Sequence, residues 1–412
     1  MRAPNRTLIR VVAPAVLAAL VAAACGSSSP SSSSSTSTSG ASSGPTYTIA
    51  YEGPLSGGNA QLGLNMKFGV QLAINQANAG TTFGKLPFNL KFLAQDDQGS
   101  SAQSPAAAQA LIGNKGVVAV VGPAFSGATK AAEPAFHEAD MATVSPSATA
   151  PDLATQGWTN FFRVVADDNA QGPADAIYAA KKLNAKTVYS IDDASAYASG
   201  LVGAFDTAAK SDGLTVTHET APGTTQCQAG TGNVQQYDAL ATKVKSANPN
   251  VVFYAGYYCD FALLAKALRA AGYNGQLLSD DGSNDPKYIS QAGSSVAQGT
   301  ITSCACEDIS KVTSSQASSF ASEFQKLAGF PAGTYSAEAY DATNTIISVM
   351  KGLSAINRGA IVTALKTVNY PGISKTVQFQ ANGNIAGTAV YVNQVQNGKF
   401  TQLGLVSQLV GS

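Results

Sequence analysis

Along most of this chain, short apolar runs suited to buried strands alternate with helical patterns. This rhythm constrains the fold more than any other feature. Residues 47–51, 117–121 (VVAVV), 187–191, 216–218, 251–255 and 276–279 read as strands, and residues 88–94 alternate through Phe88, Leu90 and Phe92. Between them, Leu64, Phe68 and Leu72 recur at helical spacing before a stop at Gly80, and Ser104-Pro105 offers an N-cap followed by a proline at the first helical position. Residues 169–183, 201–211, 237–247 and 261–271 carry further helical patterns. Such alternation argues for an α/β fold with parallel sheets covered by helices. The body of roughly 365 residues exceeds one doubly wound sheet of common size, so two lobes are expected.

The polar, glycine-rich segments follow the strands directly, at residues 53–57, 122–126, 145–149, 192–200, 257–260 and 280–282. In open α/β sheets ligands bind beyond the carboxyl ends of the strands. Any one of these loops would need turn residues in any case. Six of them, on two lobes facing one cleft, point to a small-molecule site.

The N-terminus reads as an address. Arg2, Arg6 and Arg10 precede an apolar run at residues 11–24. That run is shorter than the roughly 20 residues a membrane span needs and fits a signal-peptide core. It ends in Ala24-Cys25-Gly26, which resembles a bacterial lipoprotein signal whose Cys25 becomes the lipidated first residue. Residues 1–24 would be the leader and residues 25–45 a Ser-rich tether too polar to pack. The expected product is exported and held by lipid at the outer face of the cytoplasmic membrane.

Charge narrows the partners. Without the three leader Arg, the 25 Lys+Arg fall to 22 against 25 Asp+Glu, a net −3, which leaves no basic face for nucleic acid. Two distant histidines, His137 and His218, and cysteines without finger spacing give no metal site. No cofactor is expected. Beyond Cys25, the four cysteines Cys227, Cys259, Cys304 and Cys306 suggest disulfides in an exported chain. Sequence leaves three connectivities open; Cys227–Cys259 with Cys304–Cys306 is the favoured one.

Taken in order, the motifs resemble the leucine/isoleucine/valine-binding family of type I periplasmic binding proteins. They are Gly53-Pro54-Leu55-Ser56-Gly57 with Ala60-Gln61-Leu62-Gly63, Asp96-Asp97, Val120-Val121-Gly122-Pro123, Ser145-Pro146-Ser147-Ala148-Thr149, Phe162-Arg163, Asp168-Asn169-Ala170-Gln171-Gly172, Tyr197-Ala198-Ser199-Gly200, Asp281-Gly282 and Tyr335-Ser336. The resemblance implies two doubly wound lobes joined by three crossings, near Val165, Ile301 and Gly387. Lobe 1 would hold residues 46–164 and 302–386, and lobe 2 residues 165–301 and 387–412.

The resemblance also implies site roles. Ser126, ahead of a helix expected at residues 127–139, would bind a ligand carboxylate. Ser147, Ala148 and Thr149 would serve the carboxylate and ammonium. Tyr197 and Tyr257 would cover the ligand, Asp281 would pair with the ammonium, and Leu62 and Tyr335 would touch the side chain. The family's usual acid is Glu where this chain has Asp281. Gly99 and Phe125 stand where the family has its lobe-1 disulfide.

The implied function is that of a solute receptor, which needs no catalysis. It would capture an amino acid, branched-chain or aliphatic, and deliver it to an ABC permease as a monomer. The same fold could take a short amide, urea or an aromatic acid, or act as a sensory module. An exported hydrolase is disfavoured, since the chain has no Gly-x-Ser-x-Gly elbow.

Overall fold

A computed structural model describes residues 44–223, 227 and 234–411. The expected leader, Cys25 and the tether up to residue 43 lie outside the described residues.

The first sheet comprises β1 (Thr46–Gly53), β2 (Asn89–Asp96), β3 (Val117–Val121), β4 (Ala142–Ser145) and β5 (Phe161–Arg163). Their order is β2-β1-β3-β4-β5, and all pairs are parallel. β3 lies in the middle and buries all five residues, as an unbroken VVAVV run requires. The helices α1 (Ala60–Ala79), α2 (Ser104–Gly113) and α3 (Ser126–Glu138) follow β1, β2 and β3.

The second sheet takes β6 (Thr187–Asp192), β7 (Thr215–Thr220), β8 (Val251–Ala255), β9 (Gln276–Ser279) and β10 (Ile301–Cys304). Its helices are α4 (Asp168–Ile177), α5 (Ala196–Ser211), α6 (Asp238–Ala247), α7 (Tyr258–Ala270) and α8 (Pro286–Ala292). The chain then returns to the first lobe for α9 (Ser315–Ala328), α10 (Ser336–Gly352), α11 (Arg358–Leu365) and a hairpin of β11 (Asn369–Pro371) and β12 (Thr376–Gln378). It ends on β13 (Tyr391–Gln396) and β14 (Lys399–Leu405), which complete the second sheet in the order β14-β13-β10-β9-β8-β6-β7. β13 is antiparallel to β10, and β14 to β13.

Several details differ from the sequence reading. Ser104 does not cap α2; it is buried, and its hydroxyl donates to Glu52 Oε1 (2.5 Å), a carboxyl held up at about 8 by burial. α5 starts five residues early, because Ser195 caps it by accepting from the Ala198 amide. α7 likewise starts at Tyr258, so Tyr258, Cys259 and Asp260 are helical rather than loop. α4 leaves α-helical geometry after Ile177 and finishes in a π turn over Tyr178–Lys182.

The lobes are joined by three crossings. The first follows β5, and the third precedes β13. The second sheet extends through Cys304, because Thr302, Ser303 and Cys304 pair with Asn393, Val392 and Tyr391. The middle crossing therefore follows Cys304, close to the expected Ile301. Lys375 ties two crossings together: its ammonium donates to Glu338 Oε1 (2.9 Å), the Ala305 carbonyl (3.3 Å) and the Val164 carbonyl (3.5 Å). The cysteines pair as Cys227–Cys259 and Cys304–Cys306, and the second bond sits on the middle crossing.

Candidate functional site

Where the two sheets' carboxyl ends face each other, the lobes leave a narrow cleft between them. Leu62 and Met66 reach it from α1, Ala124, Phe125 and Ser126 from the β3–α3 loop, Ser147 from the loop after β4, and Tyr335 from the start of α10. The second lobe supplies Tyr197, Tyr257, Asp281 and Gly282. Seven of the nine residues implied as ligand contacts therefore line one space: Leu62, Ser126, Ser147, Tyr197, Tyr257, Asp281 and Tyr335.

Ala148 and Thr149 lie behind that wall. The Ala148 carbonyl accepts from Arg163 Nη1 (3.1 Å) and its amide donates to Ser145 Oγ (3.0 Å). Thr149 is fully buried beside Asp168. Arg163 holds this loop: fully buried, it also donates to the Ala150 carbonyl (2.8 Å), Asn384 Oδ1 (2.7 Å) and Asp167 Oδ2 (3.1 Å).

At the first-lobe end, neutral donors gather. Ser126 opens α3, a helix of 13 residues, so its hydroxyl stands with amide groups that have no helical acceptor. The Ser126 hydroxyl accepts from the Ala150 amide (3.1 Å) rather than capping its own helix, which leaves its proton free to turn toward a ligand oxygen. The Ser147 hydroxyl donates to the Ala124 carbonyl (2.6 Å). That bond engages the one proton of Ser147, so the Ser126 hydroxyl and the first amides of α3 are the donors that suit a carboxylate.

The second-lobe end is acidic. Asp281 Oδ1 accepts from the Tyr197 hydroxyl (2.7 Å) and from Gln171 Nε2 (2.8 Å), and the Tyr335 phenol lies beside the same carboxylate. Burial raises the Asp281 pKa, while these donors pull it back. Asp168, Asp175 and Asp280 are also buried, and burial together with the Asp281 charge pushes each of them up. A carboxylate cluster buried in this way favours a cation. Gly282 is required for the arrangement, since a Cβ there would lie 2.6 Å from the Gly256 carbonyl.

Aromatic rings close the space between the lobes. Phe125 stacks on Tyr257 with centroids 4.3 Å apart and planes at 21°, and Tyr257 meets Tyr197 at 5.5 Å. Tyr335 takes φ 65°, a left-handed backbone rare for an aromatic residue, immediately before α10. Met66, Ala124 and Phe125 were not anticipated from sequence, although Met66 follows Leu62 by one helical turn.

A profile of the periplasmic binding protein family matches residues 46–399. The chain belongs to this family. Its relatives include the Leu/Ile/Val-binding protein BraC3 of Rhizobium johnstonii, 31% identical over 359 residues, covering 86% of this chain and 92% of that protein. Among solved structures, the leucine-binding protein LivK of Thermotoga maritima superposes with a TM-score of 0.78 at 25% identity, over 87% of this chain and 98% of the other. LivJ of Streptococcus pneumoniae, a branched-chain amino acid transporter substrate-binding protein solved with isoleucine, gives 0.76 at 27%, over 87% and 99%. These members share the two-lobed type I architecture described above.

Proposed function

We propose that this periplasmic binding protein is the solute receptor of an ABC importer and captures an aliphatic, branched-chain amino acid between its lobes. The observation that carries the reading is the polarity of the cleft. Ser126 offers a hydroxyl beside the first amides of α3 at one end, Asp281 offers a carboxylate at the other, and Leu62, Met66 and Phe125 supply apolar surface. An amino-acid zwitterion with an aliphatic side chain has those three parts. The relatives named for leucine, isoleucine and valine support the same choice. Urea and neutral amides lack the cation that Asp281 would hold.

A thermal-shift screen of the mature body against twenty amino acids, urea, acetamide and benzoate tests the assignment. A ligand at 100 times its dissociation constant stabilises the fold by about 2.7 kcal/mol. Leucine, isoleucine or valine should give the largest rise in Tm. A rise with urea, acetamide or benzoate and none with amino acids would overturn the assignment.

The proposed receptor is a monomer tethered by acylated Cys25, within reach of its permease. Cys25→Ala should move the protein from the membrane fraction to the soluble one, read by detergent partitioning and intact mass. Retention on membranes would remove the lipid anchor from the account.

A further inference from the structure

Beside the cavity, a second group of contacts joins the lobes without using a cavity-lining side chain. On lobe 1, Asn65 stands on α1; on lobe 2, Asp285 stands just ahead of α8. Asn65 Nδ2 donates to Asp285 Oδ2 at 3.3 Å, and both residues are buried, Asn65 at 2% exposure and Asp285 at 0%. Nearby, Asn284 Nδ2 donates to Thr334 Oγ1 (3.2 Å), and the Gln61 amide donates to the Tyr258 hydroxyl (3.4 Å).

Each partner is fixed by its own lobe. Asn65 Oδ1 accepts from Gln61 Nε2 (3.0 Å), which turns the amide NH2 outward. Gly333 packs so closely that a Cβ there would lie 2.7 Å from Asn65 Nδ2. Asp285 Oδ1 caps α8 by accepting from the Lys287 amide (2.8 Å), which leaves Oδ2 for the other lobe. Closure buries the carboxylate, and Asn65 is the side chain from the opposite lobe that meets it. With the lobes apart, water would solvate both groups. The contact therefore acts on the closed form.

We infer that Asn65 and Asp285 form an interlobe latch that sets the open–closed balance, and hence affinity, without touching the solute. The inference rests on the receptor reading above. Because apparent affinity scales with the fraction of closure-competent protein, a latch changes every ligand's affinity by one factor. A residue that touches the ligand changes the ratio between ligands.

The test uses calorimetry and stopped-flow kinetics with L-leucine and L-valine. Asn65→Asp places a second carboxylate against Asp285 in a buried seam. Both affinities should fall about 10–100-fold by a common factor, with the change in koff. The double variant Asn65→Asp/Asp285→Asn exchanges donor and acceptor: the new amide keeps an oxygen for Lys287 and turns its NH2 to position 65. It should return both affinities to within about threefold of wild type. A single variant within about threefold of wild type, a double variant that stays weak, or unequal factors for the two amino acids would overturn the latch.

Closure can also be read without solute, by electron paramagnetic distances between labels at Ser318→Cys on α9 and Lys210→Cys on α5. Asn65→Asp should enlarge the open population and the double variant should reverse it; unchanged distances would again overturn the latch. Failure of the receptor reading appears instead in the unmodified protein, which would bind neither amino acid. The latch is then judged on the distances alone.

Discussion

Asp281→Ala should weaken binding of L-leucine by about 10²–10³-fold while leaving the fold intact. The Asp281 carboxylate is 3% exposed, and Tyr197 and Gln171 orient it from the same lobe. A ligand ammonium placed against it would be shielded from water by Tyr257 and Phe125, which stack across the seam. Removing one partner of a buried ion pair costs about 3–5 kcal/mol, and each 1.4 kcal/mol is about tenfold in affinity. Asp281→Asn should be almost as damaging, because it preserves the acceptor for Tyr197 and Gln171 but not the charge. Calorimetry on both variants, with circular dichroism as the folding control, measures the effect. Binding by Asp281→Ala within about threefold of wild type would reduce Asp281 to a turn residue.

Arg163→Met should act on stability. The guanidinium is fully buried at the end of β5 and satisfies the Ala148 and Ala150 carbonyls, Asn384 and Asp167. Burial lowers its pKa, while Asp167 and Asp168 oppose the shift. Methionine fills much of the volume but leaves two carbonyls without a donor and Asp167 without its cation. The expected loss is about 3–5 kcal/mol. At roughly 2–4 °C per kcal/mol, Tm should fall by about 6–20 °C in a calorimetric scan. A fall under about 2 °C would show that the loop carrying Ser147 stands without Arg163.

The parts of the fold legible in sequence were those with one physical solution. β3, β8 and β9 occupy the stretches read from their apolar runs, since a five-residue VVAVV or VVFYA has no polar face to present to water. Helix starts were less legible, because the cap at Ser195 and the early turn at Tyr258 hide inside loops rich in turn residues. The end of β10 was less legible, because Ser303 and Cys304 pair with β13, about ninety positions away.

The site divides in the same way. Ser126, Ser147, Tyr197 and Tyr257 lie in the post-strand loops, and the family resemblance is what singled them out there. Met66 and Phe125 were not singled out as contacts. Asp168, Gln171 and Asp175 sit on one face of α4 at spacings of three and four, a polar stripe of the kind that ordinarily faces solvent. The structure buries that stripe against Asp281 and Ser303 instead, through Gln171 Nε2 to Ser303 Oγ (2.9 Å) and Ser303 Oγ to Asp175 Oδ2 (3.0 Å).

The central claim is that the cleft recognises both charges of an aliphatic amino acid. Calorimetric titration of the mature body with L-leucine and with 4-methylpentanoate, the same molecule without its amine, tests it most directly. The account predicts one-to-one binding of leucine and at least about 100-fold weaker binding of the deaminated acid. Equal affinity for the two, or no heat with leucine, isoleucine or valine, would contradict it.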